Sequence, residues 1–399
     1  MYEIVTIALL SLISAELNPR FAFSLFLTAT FIYSLKNGIK IGIRDVDEKT
    51  SYFNTFLIAT VLLALSCIFL PREIVCASVF AVLAHEFRRG ALWNILIYTI
   101  LSLLYFIYFY YVNFYPLDLT HVFFLSLAGG ISASIVESVE SNADKRFTVV
   151  LAMATTFTIF KIYVPTTSIE SLALAFLVSF MISLIALKFR IADESGLMSA
   201  TLIGTTLILF TDIRFFVVVL LFYVIGSISS RYKYRLKESL GLAEYGRGYA
   251  NVFGNSLAPL FFALQYGVTR EEFFALAFVS SVATALGDTM ASEIGKTAKN
   301  VYLITNFRRV RPGTSGGISL IGEISALVGS LIVSISSFLM GIIPIDLIPI
   351  VVLSAFLAIH VDSYLGATLE EMGLLTNSAV NILATLSAGF FCYVFLSIA

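Results

Sequence analysis

Long apolar runs, separated by short polar gaps, extend along the whole chain. About fifteen runs can be recognised, beginning near residues 3, 21, 53, 74, 91, 120, 147, 170, 196, 214, 248, 272, 317, 345 and 377. A run of about 20 apolar residues is long enough to cross a bilayer as a helix. The pattern therefore predicts an all-α, polytopic integral membrane helix bundle with about 15 spans (±2). The runs near 3, 21 and 74 are short, so each could be tilted or re-entrant.

Composition supports a membrane environment for these helices. Hydrophobic residues make up 59% of the 399 residues and charged residues only 13%, whereas globular proteins carry about 25% charged residues. The formal net charge is only -1, and we expect no nucleic-acid partner. Cys67, Cys76 and Cys392 lie in or beside apolar runs, so we interpret them as small hydrophobic residues.

The distribution of basic residues predicts an orientation. If all fifteen segments cross and the N-terminus is cytoplasmic, most of the 25 Lys and Arg residues fall in cytoplasmic connections. Such a bias is typical of membrane proteins. We therefore expect a multi-pass protein of the cell (plasma) membrane with a cytoplasmic N-terminus. The long polar connections 231–247 and 291–316 lie on that side, and long loops often carry function.

Two distant segments resemble each other. Residues 134–155, SIVESVESNADKRFTVVLAMAT, align without a gap on residues 367–388, ATLEEMGLLTNSAVNILATLSA. The alignment places Glu137 on Glu370 and Asp144 on Asn377. Because the copies have the same orientation and are eight segments apart, the pattern is compatible with a tandem duplication of two related halves.

Four polar clusters interrupt the apolar pattern, and all four lie on the predicted cytoplasmic side of the membrane. The first, TALGDTMASEIGK at 284–296, contains Asp288, Ser292 and Glu293. On a helix, Asp288 and Ser292 are four residues apart, so one face presents an acid above a hydroxyl. Carboxylate oxygens of this kind suit Mg²⁺. The alternative is a helix end with solvated carboxylates.

The second cluster is RRVRPGTSGGISLIGE, residues 308–323. Its glycines allow the backbone N–H groups to turn toward an anion, and the following helix N-terminus also favours negative charge. Three arginines upstream are suited to pairing with phosphate. The alternative is a cytoplasmic turn whose arginines only set the topology. The sequence is not a Walker A motif.

The remaining clusters carry an arginine, several amides and a second aspartate. EYGRGYANVFGN at 244–255 places Arg247 between two glycines, with Asn251 and Asn255 one helical turn apart. The segment 360–381 contains Asp362 and begins with His360, which we interpret as a packed rather than a catalytic residue. Phosphoryl transfer uses a metal, cationic or N–H donors and little covalent chemistry from the protein. The clusters therefore indicate an enzyme acting on an alcohol or phosphate at the end of a hydrocarbon chain.

These motifs also resemble a known family. RYKYRLKESLG, GRGYANVFGN, GDTMASEIGK, RPGTSGGISLIGE, VDSYLGATLE and LLTNSAVNILATLSAG are similar, in this order, to the integral membrane family that includes plant phytyl-phosphate kinase and transmembrane protein 19. The similarity covers roughly residues 190–399. It implies transfer of a phosphoryl group from CTP or another nucleoside triphosphate to a polyprenyl monophosphate, giving the diphosphate.

The first 165 residues resemble a different group. HEFRRGALWNIL and ASIVESVESNADKRFTVVLAM look like degenerate segments of phytol kinase, dolichol kinase and phosphatidate cytidylyltransferases. The Gly-Asp and Lys-Ser-x-Glu-Gly-Ser segments of those enzymes are absent from these first 165 residues. We therefore predict a non-catalytic N-terminal membrane domain at 1–165, a linking span at 166–195 and a catalytic membrane domain at 196–399.

The site predictions combine both arguments. Asp288 and Asp362 would hold Mg²⁺, Glu293 would be a further ligand or a supporting group, and Arg247 would complete the catalytic set. The residues expected to bind nucleotide or phosphate are Arg308, Arg309, Arg311, Gly313, Thr314, Gly316, Gly317, Ser319, Asn251, Asn255, Ser292, Asn377 and Asn381. A phosphate acceptor is already an oxyanion, so no strong general base is required.

Other functions stay open at this point. A cytidylyltransferase making a CDP-activated lipid would use the same metal and the same CTP. A transporter would suit duplicated halves, although its polar residues would be expected near the middle of the membrane. The expected partners are the lipid bilayer, an isoprenoid-phosphate substrate (phytyl- or geranylgeranyl-phosphate type) and a nucleoside triphosphate, and a homodimer is left open.

Overall fold

A computed structural model describes residues 2–37, 48–138, 144–163, 168–243 and 248–398. Sixteen α-helices and three short strands form within these residues. The helices follow the apolar runs, since each of the fifteen predicted segments contains one helix and the sixteenth is a short polar helix. The chain divides into two compact units, residues 1–174 and 175–399.

The first unit contains seven helices and the start of an eighth. They are α1 Tyr2–Glu16, α2 Pro19–Asn37, α3 Glu48–Ser66, α4 Arg72–Ala81, α5 Ala91–Val112, α6 Leu119–Ser138, α7 Lys145–Tyr163 and α8 Ile169–Lys188. A 3₁₀ helix, Val82–Phe87, lies between α4 and α5. The division between the units falls within α8.

The second unit continues with eight helices. They are α9 Glu194–Phe210, α10 Ile213–Arg231, α11 Tyr234–Ser239, α12 Tyr249–Thr269, α13 Glu272–Gly295, α14 Leu320–Leu339, α15 Ile348–Leu365 and α16 Asn377–Ile398. A 3₁₀ turn, Ile345–Leu347, precedes α15, and a π-helical turn, Gly366–Glu370, follows it.

Helix α13 is the centre of the second unit. It packs against α10, α12, α14, α15 and α16, and 78% of its span is buried. Glycines allow the closest approach, because a Cβ on Gly329 of α14 would lie 2.9 Å from the Cα of Gly287. Small residues at helix interfaces permit this approach in membrane proteins. Ser281 adds a hydrogen bond of 2.6 Å to the carbonyl oxygen of Thr385 on α16.

A small antiparallel sheet forms in the connection between α13 and α14. Its strands are β1 Val301–Leu303, β2 Arg309–Val310 and β3 Gly317–Ile318, in the order β2-β1-β3. The sequence predicted only a glycine-rich loop in this connection. Two-residue strands are too short for the alternation of apolar and polar residues to reveal them.

The number of membrane crossings is a separate matter from the number of helices. Eight helices of the described residues are long and apolar enough to cross a membrane, namely α5, α6, α8, α10, α13, α14, α15 and α16. Helices Thr50–Ser66 and Glu194–Phe210 are apolar but shorter. The chain is thus a polytopic helical membrane protein, while about fifteen crossings and their orientation stay predictions.

The two units share an order of helix packing. In the first unit the neighbours include α1 with α3, α3 with α4 and α7, α4 with α5 and α7, and α6 with α5 and α7. In the second they include α9 with α12, α12 with α13 and α16, α13 with α14 and α16, and α15 with α14 and α16. These pairs correspond when α3 to α7 are matched with α12 to α16 and α1 with α9, whereas the contacts of α1 with α4 and of α13 with α15 have no comparable counterpart in the other unit. A tandem duplication predicts such agreement.

Candidate functional site

A polar cavity of about 800 Å³ lies within the second unit, where α10, α12, α13, α14, α15 and α16 meet the α13–α14 connection. Its volume falls within the range of about 300–1,000 Å³ typical of small-molecule sites. The predicted site residues that line it are Asp288, Ser292, Glu293, Asp362, Asn251, Asn255, Gly313, Thr314, Gly316, Gly317, Ser319, Asn377 and Asn381. The tertiary structure therefore brings residues from all four sequence clusters into one cavity.

Three carboxylates from two neighbouring helices face this cavity. Asp288 belongs to α13, Asp362 to α15, and Glu370 to the π-helical turn that follows α15. The negative charges of Asp288 and Glu370 both act on Asp362. Within the described part of the chain, neither Asp288 nor Asp362 accepts a hydrogen bond or belongs to an ion pair. Like charges held together without protein donors favour an external cation.

The glycine-rich loop reaches the cavity through two residues with left-handed backbone. Gly313 has φ +86° and Gly316 has φ +70°, a region that favours glycine. Gly316 also packs tightly, because a Cβ there would lie 2.4 Å from the carbonyl oxygen of Ser363. The N–H groups of Ser315 and Gly316 find no acceptor among the described residues. They are donors suited to an anion in the cavity.

The helix that follows this loop starts at the cavity wall. Ser319 is the N-cap of α14 and accepts a hydrogen bond of 3.2 Å from the N–H of Gly322. A helix N-terminus carries partial positive charge and exposed N–H groups. Loop donors and helix N-terminus thus occur side by side, as the sequence predicted for this segment.

Amide side chains from two other helices complete the polar lining. Asn251 and Asn255 lie on the first turns of α12, where the Asn255 amide donates to the carbonyl oxygen of Asn251 at 3.0 Å. Asn377 and Asn381 lie on the first turns of α16. Amides offer both donors and acceptors, which suits a nucleotide base or ribose as well as phosphate.

Glu293 is placed differently from the two aspartates. Its Oε2 accepts a hydrogen bond of 2.6 Å from Lys237, and its Oε1 lies 3.0 Å from the ammonium group of Lys296. Glu293 is 7% exposed and Lys237 is 1% exposed. Both oxygens of this carboxylate are therefore occupied by lysine side chains.

The arginines predicted from sequence lie elsewhere. Arg308, Arg309 and Arg311 are exposed and are not among the residues that line the cavity. Arg309 belongs to β2, and its guanidinium donates to the carbonyl oxygen of Lys299 at 3.2 Å. Arg247 lies outside the described residues. The phosphate-binding roles of these four arginines stay predictions.

Several lining residues were absent from the sequence prediction. They are Arg190, Arg231, Lys296, Glu323, Ser363 and Glu370. All of these except Arg190 occur inside the motifs quoted above, so their motif membership was an available signal. Arg190 follows an apolar helix and Arg231 ends one, positions where basic residues are common for topological reasons. Periodicity alone could not have separated them from other basic residues.

The donor set fits Mg²⁺ that is bound together with a phosphate ligand. No three His, Cys, Asp or Glu side chains in the described ranges lie close enough to hold an ion as a group. Mg²⁺ usually takes one or two carboxylates and completes its coordination with phosphate oxygens and water. The lining has five carboxylates but only three basic side chains. A nucleoside triphosphate would be repelled from such a cavity unless cations accompanied it.

Comparison with known proteins identifies relatives of part of this chain. An uncharacterized membrane protein of Methanocaldococcus jannaschii is 29% identical over 220 residues, which cover 55% of this chain and 91% of the relative. An uncharacterized membrane protein of Synechocystis is 36% identical over 176 residues, 42% of this chain and 68% of the relative. Protein VTE6, chloroplastic, of Arabidopsis thaliana is 34% identical over 204 residues, 48% of this chain and 61% of the relative. No solved structure matches the chain.

The matched region contains the whole cavity. Residues 177–389 match the family described as integral membrane protein DUF92, and every lining residue lies between Phe189 and Asn381. The match covers more than half of the 399 residues. The chain therefore belongs to the integral membrane protein DUF92 family.

Proposed function

We propose that this protein is a Mg²⁺-dependent membrane kinase that transfers a phosphoryl group from CTP, or another nucleoside triphosphate, to a polyprenyl monophosphate. The product would be the corresponding diphosphate. The observation that carries the proposal is the convergence of Asp288 and Asp362 with the N–H donors of the glycine-rich loop in one cavity. This arrangement provides metal ligands and anion donors together, as phosphoryl transfer requires.

Each group in the cavity has a role in this proposal. Asp288 and Asp362 would hold Mg²⁺, which neutralises phosphate charge and orients the triphosphate. The N–H groups of Ser315 and Gly316, with the N-terminus of α14, would donate to phosphate oxygens. Arg190 and Arg231 would supply positive charge at the cavity wall. The asparagines would orient the nucleotide or the acceptor phosphate.

The type of acceptor follows from the membrane setting and the family. The helices that form the cavity include several that are long enough to span a bilayer, so a substrate with a hydrocarbon chain could present its polar head there. The six motifs resemble the family of plant phytyl-phosphate kinase, and a chloroplast protein is among the relatives. Both observations favour phytyl or geranylgeranyl phosphate as the first substrates to assay.

The decisive experiment follows the label from CTP. Purified full-length protein in detergent is incubated with Mg²⁺, a panel of prenyl phosphates and CTP labelled at either the γ- or the α-phosphate. The kinase proposal predicts γ-label in the lipid and release of CDP. Transfer of the α-label with cytidine would instead identify a cytidylyltransferase. If neither label enters any lipid and no CDP forms with CTP or other nucleoside triphosphates, the kinase proposal is abandoned.

A further inference from the structure

Glu293 contacts two lysines at the C-terminal end of α13. Lys237, on the short helix α11, donates to Oε2 at 2.6 Å, and Lys296, one turn beyond Glu293, lies 3.0 Å from Oε1. The side chain of Glu293 is only 10% exposed. Removing one partner of an ion pair that is largely excluded from water is strongly destabilising, because it leaves a buried charge without a partner.

Lys237 is fully committed to structural contacts. Besides Glu293, its ammonium group donates to the carbonyl oxygen of Ser229 at 3.5 Å and to that of Ser230. Three acceptors match the three hydrogens of a lysine ammonium group. Ser229 and Ser230 lie in the last turn of α10, where a cation stabilises the end of a helix. Lys237 therefore fixes Glu293 against α10 and does not line the cavity.

Lys296 is in a different position from Lys237. It lines the cavity and interacts electrostatically with Asp288, and its side chain is 14% exposed. Without a restraint, a lysine side chain samples many rotamers and loses about 2 kcal/mol of entropy when it becomes fixed. The contact with Glu293 restricts Lys296 before any ligand binds.

We propose that Glu293 is a positioning residue that holds Lys296 for the phosphate groups of the nucleotide, and that it is not a ligand of the metal ion. The inference rests on the proposed function and adds Lys296 to the nucleotide-binding residues. Lys237 serves as the buried partner that keeps Glu293 in place. For Glu293 to ligate a metal ion, at least one of its oxygens would have to leave a lysine.

The test uses equilibrium binding of CTP to the purified full-length protein, titrated with Mg²⁺. We expect Lys296→Met to weaken CTP binding at saturating Mg²⁺ by about tenfold, the usual effect of losing one charged hydrogen bond. Lys296→Arg should retain affinity within about threefold, because it keeps the charge. Glu293→Gln should weaken CTP binding about as much as Lys296→Met. Neither change should raise the Mg²⁺ concentration required for half-maximal binding.

Asp288→Asn is the comparison for metal ligation, since it should raise that Mg²⁺ concentration. If Glu293→Gln behaves like Asp288→Asn, or if Lys296→Met binds CTP as the wild type does, the proposal is overturned while the kinase function stands. If Glu293→Gln fails to fold, the two Lys296 variants decide, since they leave the pair of Lys237 and Glu293 intact. A wild-type protein that binds no nucleoside triphosphate would overturn both the kinase function and this inference.

Discussion

The two units share many helix contacts but differ in the surroundings of several acidic side chains. In the first unit, buried polar side chains pair with one another. In the second, Asp288, Asp362 and Glu370 face a cavity of about 800 Å³, whereas Glu293 is paired with two lysines. Many helix contacts correspond between the units, and the clearest differences lie in side chains and connections.

In the first unit, one oxygen of the buried carboxylate of Glu137 is bound by neighbouring side chains, while Oε2 has no hydrogen-bond partner among the described residues. Glu137 lies 2.6 Å from the ring of His85 and accepts a hydrogen bond of 2.7 Å from Tyr98, while Arg88 contacts the other side of the His85 ring. Lys145 donates to the backbone carbonyl of Glu137 at 2.7 Å. In the sequence alignment Glu137 corresponds to Glu370, which faces the cavity of the second unit. Side chains of the protein thus take the place that a ligand would take in the second unit.

A second set of contacts in the first unit follows the same rule. Asp144 accepts a hydrogen bond of 2.7 Å from Ser51, and Arg146 pairs with Glu86 at 3.2 Å. The aligned position in the second unit is Asn377, which lines the cavity. Arg146 therefore neutralises Glu86, whereas Asp144 is bound through Oδ1 by the hydroxyl of Ser51 and the backbone N–H of Arg146.

The connections differ as well. Helix α4 has 10 residues and reaches α5 through residues 82–90. The matched helix α13 has 24 residues and reaches α14 through residues 296–319, which contain the small sheet and the glycine-rich loop. The longer helix and loop supply Asp288, Glu293 and the N–H donors. The comparison favours the second unit as the catalytic one, and a structural role for the first stays a prediction.

The largest expected effect on turnover comes from the two aspartates that face the cavity of the second unit. Asp288→Asn or Asp362→Asn should lower CTP-dependent turnover by about a thousandfold, since each removes a carboxylate that would hold Mg²⁺ beside the reacting phosphates. Initial rates of lipid diphosphate formation measure this loss. The matched controls, Glu137→Gln and Asp144→Asn in the first unit, should change turnover of the folded protein less than about threefold. Equal losses in both units would contradict the comparison.

A smaller loss is expected when the glycine-rich loop is displaced. Gly316→Ala adds a Cβ that would meet the carbonyl oxygen of Ser363 at 2.4 Å, so the loop must shift and its N–H donors move. We expect a loss of about tenfold to a hundredfold in kcat/KM, because catalysis is sensitive to displacements of about 1 Å. Gly373→Ala is the control, since Gly373 has the same φ of +70° but no atoms within 4 Å of an added Cβ. Similar losses for both variants would show that backbone strain, not loop position, is responsible.

The arginines offer a finer test of the cavity. Arg231→Ala should raise the KM for CTP by about fivefold to tenfold, because Arg231 lines the cavity and would pair with phosphate. Arg309→Ala should change it less than about twofold, since Arg309 is exposed and donates to the carbonyl oxygen of Lys299. Steady-state kinetics with varied CTP distinguish the two. The reverse order would place the phosphates beside β2 instead.

The smallest effect on turnover, but a clear effect on stability, is expected in the first unit. Glu137→Leu leaves the buried donors of His85 and Tyr98 without their acceptor, which costs about 1–3 kcal/mol. The melting temperature in detergent should fall, while turnover per folded molecule stays the same. A large loss of turnover at unchanged melting temperature would show that the first unit takes part in the reaction.

Most of the fold was accessible from the chain itself. Apolar runs gave the positions of fifteen helices because a lipid environment requires every backbone group to be satisfied within its own segment. The glycines at 313 and 316 and the capping residue Ser319 were also visible, since they depend on local backbone geometry. The strands β1 to β3 were missed because two or three residues are too few to show an alternation of apolar and polar positions.

The site was only partly accessible. The sequence alone indicates a role for Asp288 and Asp362, because placing a charged residue in an apolar membrane segment costs free energy. Glu293 resembles them in sequence, and only the structure shows its oxygens occupied by Lys237 and Lys296. In the same way, a basic residue such as Arg231 differs from Arg309 only through the surface that it faces.

The sequence by itself determined a helical membrane protein of the DUF92 family, the order of its helices and the residue types available for chemistry. These properties depend on hydrophobicity and local conformation, which short segments carry. Tertiary structure decided which acids face an open cavity and which are neutralised by neighbours. That choice depends on distances between side chains from different helices, and those distances exist only after packing.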